Sequence, residues 1–301
     1  MFKQGLWYAL GAYGLWGFLP IYWKLLSKLP ALQILCHRMI WSLVAIVLLL
    51  SLRPAQGQKR WQWLKTALAN PKVLRIYALA ALLLALNWAL YIWAVNANFV
   101  IETSLGYFIN PLMSVFLGVV LYKERLRPGQ WLAIVLATLG VIYLTFSYGR
   151  LPWIALGLAS SFAIYGVLKK QAPLEAGKGL FLETATIFLP ALSLILYWQF
   201  TGVGAIGRHN LGTDLLLLAS GIPTSLPLLF FAAAAKRLPL SMMGIMQYIA
   251  PSIQFLLGIF VFKEYFDASR LMGFCIIWLA LIVFTSENLL YRRKQAHLLA
   301  V

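Results

Sequence analysis

The chain has 301 residues, 62% hydrophobic and 11% charged, with a mean hydropathy of +0.83. Soluble domains carry about 45–50% apolar and about 25% charged residues. This composition therefore excludes a single water-soluble core, a disordered chain and a disulfide-stapled secreted scaffold. The formal charge of +17, from 25 Lys+Arg against 8 Asp+Glu, would suggest nucleic acid in a soluble chain. In a membrane chain the same residues gather in cytoplasmic loops, and no nucleic-acid partner is expected.

What remains is an all-α integral membrane protein. A helical span takes about 20 apolar residues, and runs this long must be helices, because only a helix satisfies its own backbone in hydrocarbon. Ten transmembrane helices are predicted. Span 1 covers 5–23 and carries Trp16. Its apolar stretch exceeds the h-region of a signal peptide and no small-residue cleavage site follows, so it reads as an uncleaved span. Span 2, at 31–52, holds His37, Arg38 and Trp41.

The loop 53–72 contains KRWQWLKTALANPK, with Trp61, Leu64 and Leu68 on one helical face. It reads as a short helix in the headgroup layer, or as a solvated basic loop. Span 3 (73–95) carries Asn87, Trp88 and Tyr91, and span 4 (104–122) carries Tyr107, Asn110 and Pro111. Spans 5 (129–148) and 10 (270–290) offer almost no ionisable groups and are expected at the periphery. Span 6 (152–168) holds Tyr165, span 7 (179–200) Glu183, span 8 (214–235) Pro223 and Pro227, and span 9 (241–262) Gln247, Tyr248 and Pro251. The prolines Pro111, Pro223, Pro227 and Pro251 mark candidate helix breaks or hinges.

With the N-terminus inside, 18 basic residues fall in cytoplasmic segments and six outside, Arg38 lying within a span. That excess predicts cytoplasmic termini, with anionic lipid headgroups at the basic loops.

An internal repeat organises the spans. Tyr107-Phe-Ile-Asn-Pro111, Gly118 and Glu124 recur as Gln247-Tyr-Ile-Ala-Pro251, Gly258 and Glu264 at an offset of 140, and Trp16-Gly17 matches Tyr165-Gly166 at 149. The halves are predicted as 1–148 and 149–290, followed by a basic cytoplasmic tail at 291–301. Five spans per half force the second half to enter the membrane in the opposite sense. Inverted repeats of this kind place a substrate site near the midplane of a secondary transporter; here spans 1–4 and 6–9 are expected to line it.

At these residues the sequence resembles the EamA family of the drug/metabolite transporter superfamily. The stretches His37-Arg38-Met-Ile-Trp41, Asn87-Trp88, Ile92-Trp93-Ala-Val-Asn96, Ser104-Leu-Gly-Tyr-Phe-Ile-Asn-Pro111, Glu183-Thr184 and Gln247-Tyr248 are similar to its RarD subfamily. The resemblance covers essentially the whole chain. It implies a ten-helix inner-membrane transporter with a central cavity and a small-molecule substrate. The subfamily name is attached to chloramphenicol sensitivity, a label that does not establish a physiological substrate.

An ionisable side chain near a span centre costs at least about 2.5–3.5 kcal/mol, so each needs a reason. Arg38 lies about 10 Å into span 2 at 1.5 Å per residue. It reads either as a cavity-facing anchor for an anionic or carbonyl group, or as a snorkelling or carbonyl-tying residue. His37 points about 100° away and reads as packing or as cavity. Glu183 titrates during transport, or sits at a helix start for the sake of its dipole. Glu102 opens span 4 and reads as proton coupling or capping. Glu124 and Glu264 close spans and read as loop stabilisers.

Asn87, Tyr91, Tyr107, Asn110, Gln247 and Tyr248 are cavity candidates or interhelical glue. Trp16, Trp41, Trp88 and Trp278 lie deep enough for an aromatic wall, and Tyr165 is a further candidate. Cys36 and Cys275 sit inside apolar runs and support neither disulfide nor thiolate metal site. His37, His209 and His297 lack metal-ligand spacing, no phosphate or dinucleotide loop occurs, and neither cofactor nor enzymatic activity is expected. A passive channel, a lipid-handling protein and, less readily, a membrane enzyme are the alternative classes. Monomer and homodimer both remain open.

Overall fold

A computed structural model describes residues 2–52, 61–97, 99–148, 151–263 and 268–298. Among these residues there are thirteen helices and no strand: α1 (Phe2–Leu25), α2 (Ala31–Leu52), α3 (Gln62–Leu68), α4 (Pro71–Asn96), α5 (Val100–Tyr122), α6 (Pro128–Tyr148), α7 (Trp153–Gln171), α8 (Ala176–Phe200), α9 (Leu211–Ala219), α10 (Gly221–Ala235), α11 (Leu240–Gln247), α12 (Ile249–Phe260) and α13 (Ala268–Leu298). Eight candidate spans are long and apolar enough to cross a membrane, with α9–α10 and α11–α12 each counted as one. α1 and α7 are not among them, although they have 24 and 19 residues. Gly, Ser, Tyr and Trp dilute their apolar content, and α7 ends in Lys169 and Lys170.

The two divided spans break at proline. A proline ring clashes with the carbonyl four residues earlier and removes one helical hydrogen bond. α9 ends at Ala219, four before Pro223, and α11 ends at Gln247, four before Pro251. α5 runs unbroken through Pro111 and α10 through Pro227.

The helices group into two compact units, each drawn from both halves of the sequence. The first comprises 1–93 and 164–238. In it α1 packs along α10, while α2 packs along α8 and α10. Gly5 approaches Arg237 and Leu238 while Gly11 approaches Phe230, so α1 and α10 run antiparallel. α3 lies in the predicted amphipathic stretch. Leu64 and Ala67 pack with Tyr77 and Leu182, the Trp61 and Trp63 rings meet Phe181, and Leu68 is exposed. Residues 53–60 of that loop lie outside the described residues.

The second unit comprises 94–163 and 239–301. α6 packs antiparallel to α13, with Gly129 against Glu287, Gly140 against Ile277 and Gly273 against Leu144. Arg127 closes one end of this pair. Its Nε donates to Glu287 Oε1 at 2.5 Å, and its Nη2 donates to Glu287 Oε2 and Asn288 Oδ1 at 2.6 Å. α5 packs antiparallel to α11, and the Tyr248 hydroxyl donates to the Phe108 carbonyl at 3.0 Å. These two residues are separated by 140, the repeat offset, so each meets its own counterpart.

Two carboxylates serve helix starts in this unit. The first turn of a helix leaves N–H groups without intrahelical acceptors, and an anion there also meets the positive end of the dipole. Glu102 accepts from Ile154 N at 2.6 Å at the start of α7. Glu124 accepts from Leu240 N at 2.7 Å and Ser241 N at 2.9 Å at the start of α11. Gly118 makes the second arrangement possible, because a Cβ there would lie 2.8 Å from Glu124 Oε2 and 2.9 Å from Ser241 N. Glu264, the repeat counterpart of Glu124, lies outside the described residues.

Glu124→Ala should lower the stability of the detergent-purified protein by about 0.5–2 kcal/mol, the cost of losing an N-terminal cap. Thermal unfolding of the variant beside wild type measures it; an unchanged midpoint would show that the two bonds add nothing.

Candidate functional site

Arg38 is the most deeply placed cation in α2 that the sequence singled out. Half-buried, it extends between the indoles of α1 and α4: Cζ lies 4.3 Å from the Trp23 ring centroid and 4.9 Å from that of Trp88. A guanidinium over an indole face is attracted by the ring quadrupole. Its Nε donates to Thr224 Oγ1 at 3.0 Å, and the Thr224 hydroxyl donates to the Ser220 carbonyl at 2.8 Å. Ser220 is the residue between α9 and α10, so the Pro223 break places a threonine and a loosened helix end beside the cation. Neither Trp23, at the end of span 1, nor Thr224 belongs to the sequence-derived set. Only the three-dimensional contact of α1, α2, α4 and α10 brings them to Arg38.

The neighbouring residues on α2 fix its distance from α10. The Ser42 hydroxyl donates to the Gly221 carbonyl at 3.3 Å, and a side chain on Gly221 would run into the Trp41 backbone. Trp41 is half-buried and its Nε1 has no hydrogen-bond partner among the described residues. His37 is 3% exposed. Asn87 and Tyr91 are half-buried on α4.

A second polar group occupies the α7–α8 corner of the same unit. Glu183, seven residues into α8, is 1% exposed, as is Lys169. The Lys169 ammonium donates to Glu183 Oε1 and the Tyr165 hydroxyl donates to Oε2 at 3.1 Å. The ammonium lies 5.8 Å from the Tyr77 ring centroid and 5.7 Å from that of Tyr165. Lys169 lies just past the predicted end of span 6 at 168, and the longer α7 takes it into the helix, where it is buried. The Lys170 ammonium donates to the Leu238 carbonyl at 2.5 Å, and the Lys236 ammonium donates to that of Leu174. Burial, then the Lys169 charge, pushes the Lys236 ammonium below the ordinary lysine range, with Glu175 opposing.

An aromatic run lies within this unit. Trp16 is 5.8 Å from Tyr13 and 5.7 Å from Phe231, and Phe231 stacks on Tyr165 at 5.8 Å and 14°. The Tyr13 hydroxyl is buried with no hydrogen-bond partner among the described residues. In the second unit, Asn110 and Tyr248 are buried, Gln247 is half-buried and Tyr107 is 41% exposed. The Asn110 side-chain oxygen has no hydrogen-bond partner among the described residues. Pro111 abuts Gly244, where a Cβ would lie 2.5 Å from its carbonyl oxygen. Trp278 donates from Nε1 to Ser252 Oγ at 2.9 Å. No group of three metal-ligating side chains occurs among the described residues.

These features belong to a multi-pass helical membrane protein with charged side chains held inside its helices, a pattern found where solutes or ions cross. The chain belongs to the RarD subfamily of the EamA-like transporter family, whose profile matches residues 3–146. It is 46% identical to "Protein RarD" of Streptomyces exfoliatus, covering 98% of this chain and 93% of the relative. It is also 46% identical to "Uncharacterized transporter YojE" of Bacillus subtilis, covering 97% of each. A solved structure, described only as the crystal structure of a protein, shares the fold with a TM-score of 0.70 at 18% identity. That match covers 95% of this chain and 98% of the other. The protein is thus a membrane transporter of the drug/metabolite family.

Gly221→Leu should separate α2 from α10 and destabilise the protein by at least about 1–3 kcal/mol, as overpacking does. A detergent melting curve that matches wild type would show that the close approach is dispensable.

Proposed function

We propose that the protein is a secondary active transporter that moves a small organic metabolite or drug-like solute across the bacterial inner membrane by alternating access. Ten spans form two inverted five-helix repeats, with both termini cytoplasmic. The antiparallel pairing of α5 with α11 and of α6 with α13 supports the inversion, as does the contact between Phe108 and its counterpart Tyr248.

The observation that carries the reading is Arg38 between Trp23 and Trp88. A planar guanidinium steadied by Thr224 presents a fork suited to a carboxylate or carbonyl, and the indoles give an apolar body a surface to lie on. Substrate class follows from that chemistry: a solute with one anionic or carbonyl group and an apolar portion. A snorkelling arginine would instead need only its charge, which lysine also supplies.

The test is uptake into liposomes containing purified protein, with benzoate as the anionic probe and chloramphenicol as the carbonyl-bearing one. Arg38→Lys should insert normally and lose at least tenfold in transport, and Arg38→Ala should lose it entirely. Near-normal transport by the lysine variant would leave Arg38 a structural residue.

Orientation has its own test. A cysteine at Lys236 should react with an impermeant thiol reagent from the cytoplasm and one at Lys263 from outside. Reaction of both from one side would contradict the inverted arrangement.

A further inference from the structure

The Lys169–Glu183 pair is a buried ion pair of the first unit, and substrate recognition at Arg38 leaves it unused. The two charges have unequal routes to water. Lys169 stands two residues from the end of α7 on a flexible four-carbon stem, and a lysine so placed reaches the headgroup layer. Glu183 stands seven residues into α8, on a short side chain without that reach. If the ammonium withdraws, the carboxylate is left ionised in a low-dielectric site, which is strongly unfavourable. A proton from water relieves that state.

The surroundings favour such an exchange. Both carboxylate oxygens are engaged by donors, Lys169 and the Tyr165 hydroxyl. Both donors come from α7, so any displacement of α7 along α8 strips the carboxylate of its partners together. From α4 the Tyr77 ring faces the ammonium, and its hydroxyl accepts from Leu174 N at 2.9 Å. From the end of α10 Lys236 faces the same corner, bonded to the Leu174 carbonyl, with Glu175 nearby. Lys169 is the cation in direct contact with the carboxylate, so its departure removes that charge partner.

We propose that Glu183 is a proton-binding site within the membrane-embedded helices, with Lys169 as its displaceable counter-ion and Tyr165 as the residue that positions it. In the closed corner Glu183 is the carboxylate and Lys169 the ammonium. On opening, Lys169 keeps its proton and moves to the wet end of α7, while Glu183 accepts one proton from water as the carboxylic acid. Closure returns that proton to whichever side the corner then faces. This rests on the carrier reading only for its use in transport; proton binding itself is measured without any solute.

The experiment is infrared difference spectroscopy of the purified protein in liposomes during acid titration, with glutamate carbonyls isotope-labelled. Wild type should show a protonated-carboxyl band that is absent from Glu183→Gln combined with Lys169→Met, a double variant that leaves no unpaired buried charge. Lys169→Met alone should retain the band, since the acid is still present without its counter-ion. Glu183→Asp, which keeps the acid, should move the band out of the labelled glutamate set and guards against a folding defect in the others. A wild-type titration identical to that of the double variant would overturn the proposal and leave the pair structural. Failure of benzoate and chloramphenicol to move in liposomes would count against the carrier reading, and the band would still decide the proton site.

Discussion

Hydrocarbon offers no hydrogen bonds, so every backbone group and every charge placed in it must find its partner within the protein. The arrangement of side chains follows from that requirement. Helix starts are served by carboxylates from other helices, as Glu102 serves Ile154 and Glu124 serves Leu240 and Ser241. Hydroxyls such as those of Thr138, Thr145, Thr184 and Thr186 return to carbonyls of their own helices. Glycine appears where two helices approach most closely, at Gly118, Gly221 and Gly244. Two charges in the first unit then stand out because their solutions are elaborate: Arg38 with two indoles and a threonine, and Glu183 with a lysine and a tyrosine.

Arg38 and Glu183 each lie seven residues into the second helix of their half, α2 and α8. Each is approached by an aromatic residue from the first helix of the same half, Trp23 and Tyr165. The carboxylate holds a lysine, and the arginine contacts a hydroxyl and two ring faces.

Much of the fold was legible because membrane helices obey a simple length and composition rule. Helix limits agree with the hydrophobic runs within a few residues for α2, α4, α5, α6 and α8, and the Pro-Gly-Glu repeat is visible at a constant offset. The remainder escaped for physical reasons, and the proline breaks were legible only in part. The break at Ser220 follows from Pro223, yet Pro111 and Pro227 occur in helices that remain continuous, so proline alone does not separate the cases. Lys169 looked like a loop cation because hydropathy ends a span at the first lysine pair, whereas α7 continues to Gln171 and buries it. Trp23 and Thr224 join Arg38 across long sequence separations, and no local pattern announces such contacts. His37 and Arg38, adjacent in sequence, separate as the helical angle demands, the histidine being buried and the arginine half-buried.

The central claim is that Arg38 occupies a water-reachable place between helices and does not face lipid. In a background of Cys36→Ala and Cys275→Ser, Arg38→Cys should react with a small, charged, membrane-impermeant thiol reagent, and benzoate should slow that reaction. A cysteine that reacts with a lipid-soluble maleimide but never with the charged reagent, from either side of the membrane, would contradict it.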